Sequence, residues 1–229
     1  MLIHGPSIGI GSGVTVSVIL IILVMFNNNL GTDSNILIEQ KLPKEETSNV
    51  FFDNASPFMG DPNAPITLVE FGDYQCYFCN QHYHNTEHEL IEKYVKTGKV
   101  KILFKDFVII GPDSRNAALA THCANEQEQF WNFHNILYDN WTGENNGWAS
   151  PENLWKFSME LELDMKQMTE CLNEQRYIGK INSSNNDAET LGLTGTPAFF
   201  VIDKNNNVVK ISGAQPIDVF EKIFEQIAQ

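Results

Sequence analysis

Four short apolar runs, separated by stretches of helical periodicity, organise the chain beyond its first fifty residues. Residues 66–71 (ITLVEF) are β-branched and apolar with one charged position, the pattern of a buried strand. From Cys76 to Lys96 apolar side chains recur at helical spacing, Tyr83, Leu90, Ile91, Tyr94 and Val95 among them, until Gly98 ends the run. Residues 100–104 (VKILF) predict a second strand, so the segment reads as a β-α-β unit whose parallel strands are joined by a right-handed crossover. Residues 114–190 carry no strand pattern; helices are predicted over 115–124, 126–138, 151–160, 165–173 and about 177–191, with Ser150 as the cap of the third. Residues 198–202 (AFFVI) and 208–211 (VVKI) flank the turn-rich 203–207 and predict an antiparallel hairpin. An amphipathic helix closes the chain over 217–227, with Val219, Phe220, Ile223, Phe224 and Ile227 sharing a face.

The N-terminal region follows another pattern. Residues 14–26 run without a charge or strong breaker, and the uncharged stretch reaches back through Ile8 and Ile10. That approaches the roughly 20 residues needed to cross a bilayer core. No Lys or Arg precedes Lys41 and no A-x-A site follows the run, so an uncleaved anchor over 1–29 is favoured over a cleaved signal segment. Residues 30–49 are polar, mixed in charge, and read as a linker to a folded domain over 50–229.

Composition narrows the function classes. Apolar residues make up 42% and charged residues 19%, which fits a folded domain. A net charge of -14 with no Lys/Arg cluster argues against a phosphate-binding surface, so no nucleic-acid partner is expected.

The candidate chemistry is Cys76-Tyr77-Phe78-Cys79, placed where the first strand turns into a helix. Three residues apart, the two thiols share one side of the first helical turn and can form and break a disulfide with little backbone movement. Cys76 faces the unpaired N–H groups and positive dipole end of the helix, which stabilise its thiolate and make it the nucleophile. Cys79, one turn further in, acts second on the mixed disulfide. The spacing alone is shared with zinc sites, and His82, His84 and His88 lie within two further turns, so a copper- or zinc-binding module using the two cysteines and a histidine is the alternative reading. Taken singly, each histidine is more often a solvated helix-surface residue. Glu70 interrupts the apolar strand; if buried it is a proton relay for Cys79, otherwise it points to water at an edge. Pro197, after Gly195 and Thr196, opens the third strand, where either a trans turn or a cis bond fits.

The run Gly60-Asp61-Pro62-Asn63-Ala64-Pro65, then ITLVEF, then Asp73 to Cys79, and later Gly195-Thr196-Pro197-Ala198-Phe199 resembles the DsbA-like thiol-disulfide oxidoreductases of the thioredoxin superfamily, over about residues 58–227. The element order is that of an α/β thioredoxin fold carrying a helical insertion at about 113–191. The resemblance implies that Cys76 attacks, that Cys79 resolves, and that Pro197 is cis and faces the disulfide. It further implies that Thr196 offers backbone groups to a bound peptide, and it matches Glu70 to the buried acid of such strands. Tyr77 and Phe78 depart from the Pro and His often found between the cysteines, which predicts a less stabilised thiolate and leaves the direction of exchange open.

Cys123 and Cys171 fall on separate predicted helices among apolar neighbours; if Cys76 and Cys79 form one bridge, these two form the other, the alternative being two buried thiols. A bridge predicts an oxidising compartment, and so a catalytic domain on the extracytoplasmic side of the membrane. The enzyme expected is a monomer that exchanges disulfides with secreted or membrane proteins and is regenerated by a separate membrane redox partner, with no organic cofactor and no assigned metal. A peptide-binding module with incidental thiols is a further alternative.

Overall fold

The computed structural model describes residues 39–41 and 50–227. The segment expected to anchor the chain lies outside the described residues. Among those described, no helix is long and apolar enough to cross a membrane. Four strands fall where the hydrophobic pattern puts them: β2 (Ile66–Gly72), β3 (Val100–Asp106), β4 (Ala198–Asp203) and β5 (Asn207–Ser212). A short β1 (Glu39–Lys41), inside the stretch expected to be a linker, pairs antiparallel with β5. The sheet order is β1-β5-β4-β2-β3, with β2 parallel to β3 and antiparallel to β4. β2 is buried along its whole length because both faces of this central strand are covered, which is why it shows no hydrophobic alternation.

One face of the sheet, carrying Ile66, Leu68, Ile102, Phe199 and Val201, packs on Leu90 and Val95 of the helix after β2 and on Phe220, Ile223 and Phe224 of the C-terminal helix. The opposite face, carrying Val69, Phe71, Leu103, Phe200 and Ile202, packs on Phe51, Ala188 and Leu193. By the two-residue period of a strand, Glu70 shares the face of Ile66 and Leu68 and so points at the helix that carries the cysteines.

That helix, α1, comprises Tyr77–His82, a π turn at Tyr83–Glu87, an α turn at His88–Leu90 and a second π turn at Ile91–Val95. Gly98, at φ +71°, then turns the chain into β3, a backbone conformation that glycine adopts without a Cβ clash. The insertion comprises α2 (Pro112–Asn125), α3 (Phe130–Asp139), α4 (Pro151–Glu160), α5 (Met165–Asn173) and α6 (Ile178–Thr190). α7 (Ile217–Ile227) closes the fold.

Two local expectations change. The helix predicted from residue 126 starts instead at Phe130, because Glu128 adopts φ +61° and Gln129 N–H returns to the Ala124 carbonyl, which reverses the chain between α2 and α3. Ser150 sits at the N-cap of α4 in extended conformation, but its side chain makes no capping hydrogen bond. The capping side chain that does form such bonds is Asp164, which accepts from Lys166 N–H at 2.9 Å and Gln167 N–H at 3.1 Å ahead of α5.

Candidate active site

Cys76 is the N-cap of α1, and its carbonyl accepts the first helical bond from Asn80 N–H at 3.0 Å. It is 6% exposed, while Cys79 is 1% exposed; both are free thiols. The two environments push the sulfurs apart. The Cys76 pKa is held down to about 6, first by the Cys79 thiol, then by Thr196 and the backbone N–H groups of Cys79 and Phe78, against the upward push of burial. Cys79 moves well up, because burial disfavours its anion and its thiol is committed to Cys76. No imidazolium lies between the cysteines; sulfhydryl and backbone donors supply the stabilisation instead, and the thiolate is held down less far than the ~3.5 of the most acidic reference thiol.

Thr196 meets the pair from the far side of the sheet's end. Its carbonyl oxygen lies 3.3 Å from Cys76 Sγ, within reach of the thiol proton. Its hydroxyl is buried without another hydrogen-bond partner, free to donate to the thiolate. The Thr196–Pro197 peptide is cis. Around the sulfur, Tyr77 at 46% and Phe78 at 57% exposure present apolar rings to solvent, with exposed Ile109 nearby in the loop after β3.

Residues not singled out in the sequence hold this loop in place. Buried Asp73 accepts from Gln75 N–H at 2.9 Å with one oxygen, and from Ile109 N–H at 2.9 Å and Ile110 N–H at 3.0 Å with the other. Gln75 donates to Ser114 Oγ at 3.0 Å, accepts from Asn145 N–H at 2.7 Å, and takes the Trp141 indole N–H on its carbonyl at 2.9 Å. Glu144 accepts from Tyr77 N–H at 3.0 Å. These polar ties join the cysteine loop to the insertion. The available signal was a run of polar residues directly before the cysteines, which carries no distance information.

Glu70 is buried beneath the pair rather than at an edge, and its carboxyl is pushed well up, chiefly by burial, then by Glu87 and Cys76. His84 and His88 are exposed, but His82 is buried, contrary to the expectation for a helix-surface histidine, and burial drives its pKa down to about 4. Cys123 on α2 and Cys171 on α5 are joined by a disulfide, Cα to Cα 5.8 Å, away from any exposed surface. Among the described residues, the acidic and histidine side chains whose donor atoms converge are Glu70, His82 and Glu87; neither cysteine belongs to that set.

Residues 53–225 match the family model described as thioredoxin. A probable disulfide bond formation protein D of Bacillus anthracis is 28% identical over 176 residues, covering 75% of this chain and 80% of the relative. Among solved structures, alpha-DsbA1 of Wolbachia pipientis superposes with a TM-score of 0.66 at 26% identity, over 74% of this chain and 89% of that one. Oxidised BdbD of Bacillus subtilis gives 0.67 at 24% identity, over 74% and 91%.

Proposed function

The chain belongs to the thioredoxin family and is a DsbA-like thiol-disulfide oxidoreductase; from that premise we propose that it donates disulfides to extended segments of extracytoplasmic proteins, with Cys76 the sulfur that exchanges with the client and Cys79 its shielded partner, Cys76 attacking and Cys79 resolving when the exchange runs in reverse. The opposed environments of the two sulfurs carry the reading. A thiolate held at about 6 is both nucleophile and good leaving group. When a client thiolate attacks Cys76 of the oxidised enzyme, the Cys76–Cys79 bond breaks and Cys79 leaves as the shielded sulfur. A second client thiolate then releases Cys76, and the two electrons stay on the enzyme as a dithiol. Glu70 is the carboxylate through which Cys79 exchanges its proton, and Thr196 and Pro197 receive the backbone of the client. Exposed Tyr77 and Phe78 supply apolar contact area beside the reacting sulfur.

A disulfide donor is favoured over a reductant because stabilising the Cys76 thiolate stabilises the reduced form, which raises the reduction potential. Reference thiols near 7 and near 3.5 accompany potentials of about -270 and -120 mV. The donor assignment therefore expects a potential above that of the first reference. Equilibration of the full chain with glutathione measures it; a value at or below about -270 mV overturns the donor assignment. Tethering through residues 1–29 and an extracytoplasmic location complete the proposal, supported by the disulfide in the insertion, which persists in oxidising compartments.

A further inference from the structure

Directly under the cysteine pair, the π turn at Tyr83–Glu87 creates a side-chain arrangement that a regular helix would not. His82 and Glu87 are five residues apart, about 140° around an α-helix of 3.6 residues per turn. The i→i+5 repeat of a π turn stacks them on one face, and such turns occur frequently at functional sites. Glu70 reaches the same point from β2. One donor atom from each of Glu70, His82 and Glu87 lies within 4.8 Å of the others, and each residue is at most 3% exposed.

The polar atoms gathered there are not satisfied by one another. His82 Nδ1 and Glu87 Oε1 are buried with no hydrogen-bond partner in the chain. A buried polar atom left unpaired costs about 1–3 kcal/mol, so a rare turn that brings such atoms together needs a reason. Behind Glu87 stands His134, whose Nε2 lies 3.8 Å from Glu87 Oε1, too long for a hydrogen bond, and whose Nδ1 is paired with the Tyr74 hydroxyl at 3.2 Å. His134 Nε2 is likewise buried with no hydrogen-bond partner, so a further unsatisfied nitrogen borders the cluster.

We propose that Glu70, His82 and Glu87 form a zinc-binding site between β2 and α1. One imidazole and two carboxylates are a three-ligand zinc set that leaves a fourth position open. Calcium, which takes six to eight oxygen ligands, finds too few here. The proposal stands apart from the thiol chemistry. Glu70 belongs to both, and the measurement below reads zinc binding alone.

The oxidised full chain, in which both cysteine pairs are disulfides and offer no thiolate, is titrated calorimetrically with Zn²⁺ alone and followed with Co²⁺ by absorption. One equivalent is expected, with a Co²⁺ spectrum free of thiolate charge transfer, and a Cys76→Ser/Cys79→Ser variant is expected to bind equally. His82→Ala and the near-isosteric Glu87→Gln and Glu70→Gln are each expected to weaken binding by more than the ~10- to 100-fold that losing a partner of a metal ligand costs. His84→Ala/His88→Ala leaves it unchanged. Absence of uptake by the oxidised chain overturns the site, as does uptake that survives Glu87→Gln and Glu70→Gln or that disappears with the two surface histidines.

Discussion

The two cysteine pairs contain the same atoms in opposite surroundings. Cys123 and Cys171 lie fully buried between α2 and α5, packed with Ala120, Ala124 and Met168, where no client can reach them. Cys76 and Cys79 begin a helix at the rim of the sheet, with backbone N–H groups aimed at the first sulfur and exposed aromatic rings beside it. The difference shows that redox activity here depends on donors and access, while spacing along the chain only decides which cysteines can meet. The first pair is built to be opened repeatedly and the second to stay closed.

Removing Cys76 is the severest test of that division. Cys76→Ala is expected to reduce oxidation of a reduced client to the uncatalysed level, because Cys79 is buried and its thiol is pushed up. Offered the oxidised client, Cys79→Ala should instead accumulate a mixed disulfide: the Cys76 thiolate attacks the client disulfide, one client sulfur leaves, and no second thiol releases the adduct, which mass spectrometry detects. Turnover by Cys76→Ala above background would mean that another thiol attacks.

The insertion disulfide is expected to matter for stability and not for exchange. It closes a loop with a sequence separation of 48, for which the chain-entropy treatment gives about 4 kcal/mol. Denaturant unfolding of Cys123→Ala/Cys171→Ala should show a loss of that order, with the Cys76–Cys79 potential unmoved. A shifted potential would show that the two pairs are coupled.

Sequence legibility divides along similar lines. Strands β2 to β5, helix α7 and most of the insertion follow from periodicity because each buries a continuous apolar face, and the active cysteines follow from their place after a strand. The ties of Asp73 and Gln75 to residues 36 to 70 positions away do not, since nothing local encodes which distant amides a carboxylate will meet. The burial of His82 was hidden for a different reason. It was expected at the surface on the general frequency of exposed histidines, and nothing in the sequence marks the π turn that follows it. The switch in backbone direction at Glu128 was equally silent, because a Glu at positive φ has no sequence signature.

A pH titration sharpens the contrast between the two active-site sulfurs. With Cys76 held to about 6, its alkylation rate in the reduced protein is expected to be nearly flat above pH 7 and to fall about tenfold between pH 7 and pH 5, while Cys79 stays unmodified. The sign for stability follows from the same depression. The thiolate's contribution to the reduced fold is complete above the ordinary value of 9.0 and disappears as pH falls through about 6, and the oxidised form, having no thiol, gains nothing from it. The reduced-minus-oxidised stability difference should therefore shrink on acidification across that window. A half-point near the ordinary thiol value would remove the distinction between the sulfurs.

The smallest expected effect concerns Thr196, whose contribution is one donor among several. Thr196→Val keeps the shape and the backbone carbonyl 3.3 Å from Cys76 Sγ but deletes the buried hydroxyl that has no other partner. Loss of a hydrogen bond to an anionic sulfur at a partly open site should cost about 1 kcal/mol. The Cys76 half-point should then move upward from about 6, alkylation at pH 6 should slow about threefold, and the potential should become slightly more reducing because the thiolate of the reduced form is less stabilised. The Cys79→Ala background separates this donor from the stronger Cys79 thiol: there the Cys76 half-point rises first, and adding Thr196→Val should raise it again. An unmoved half-point in both backgrounds would assign the stabilisation to Cys79 and the helix amides alone, leaving Thr196 only its carbonyl to offer.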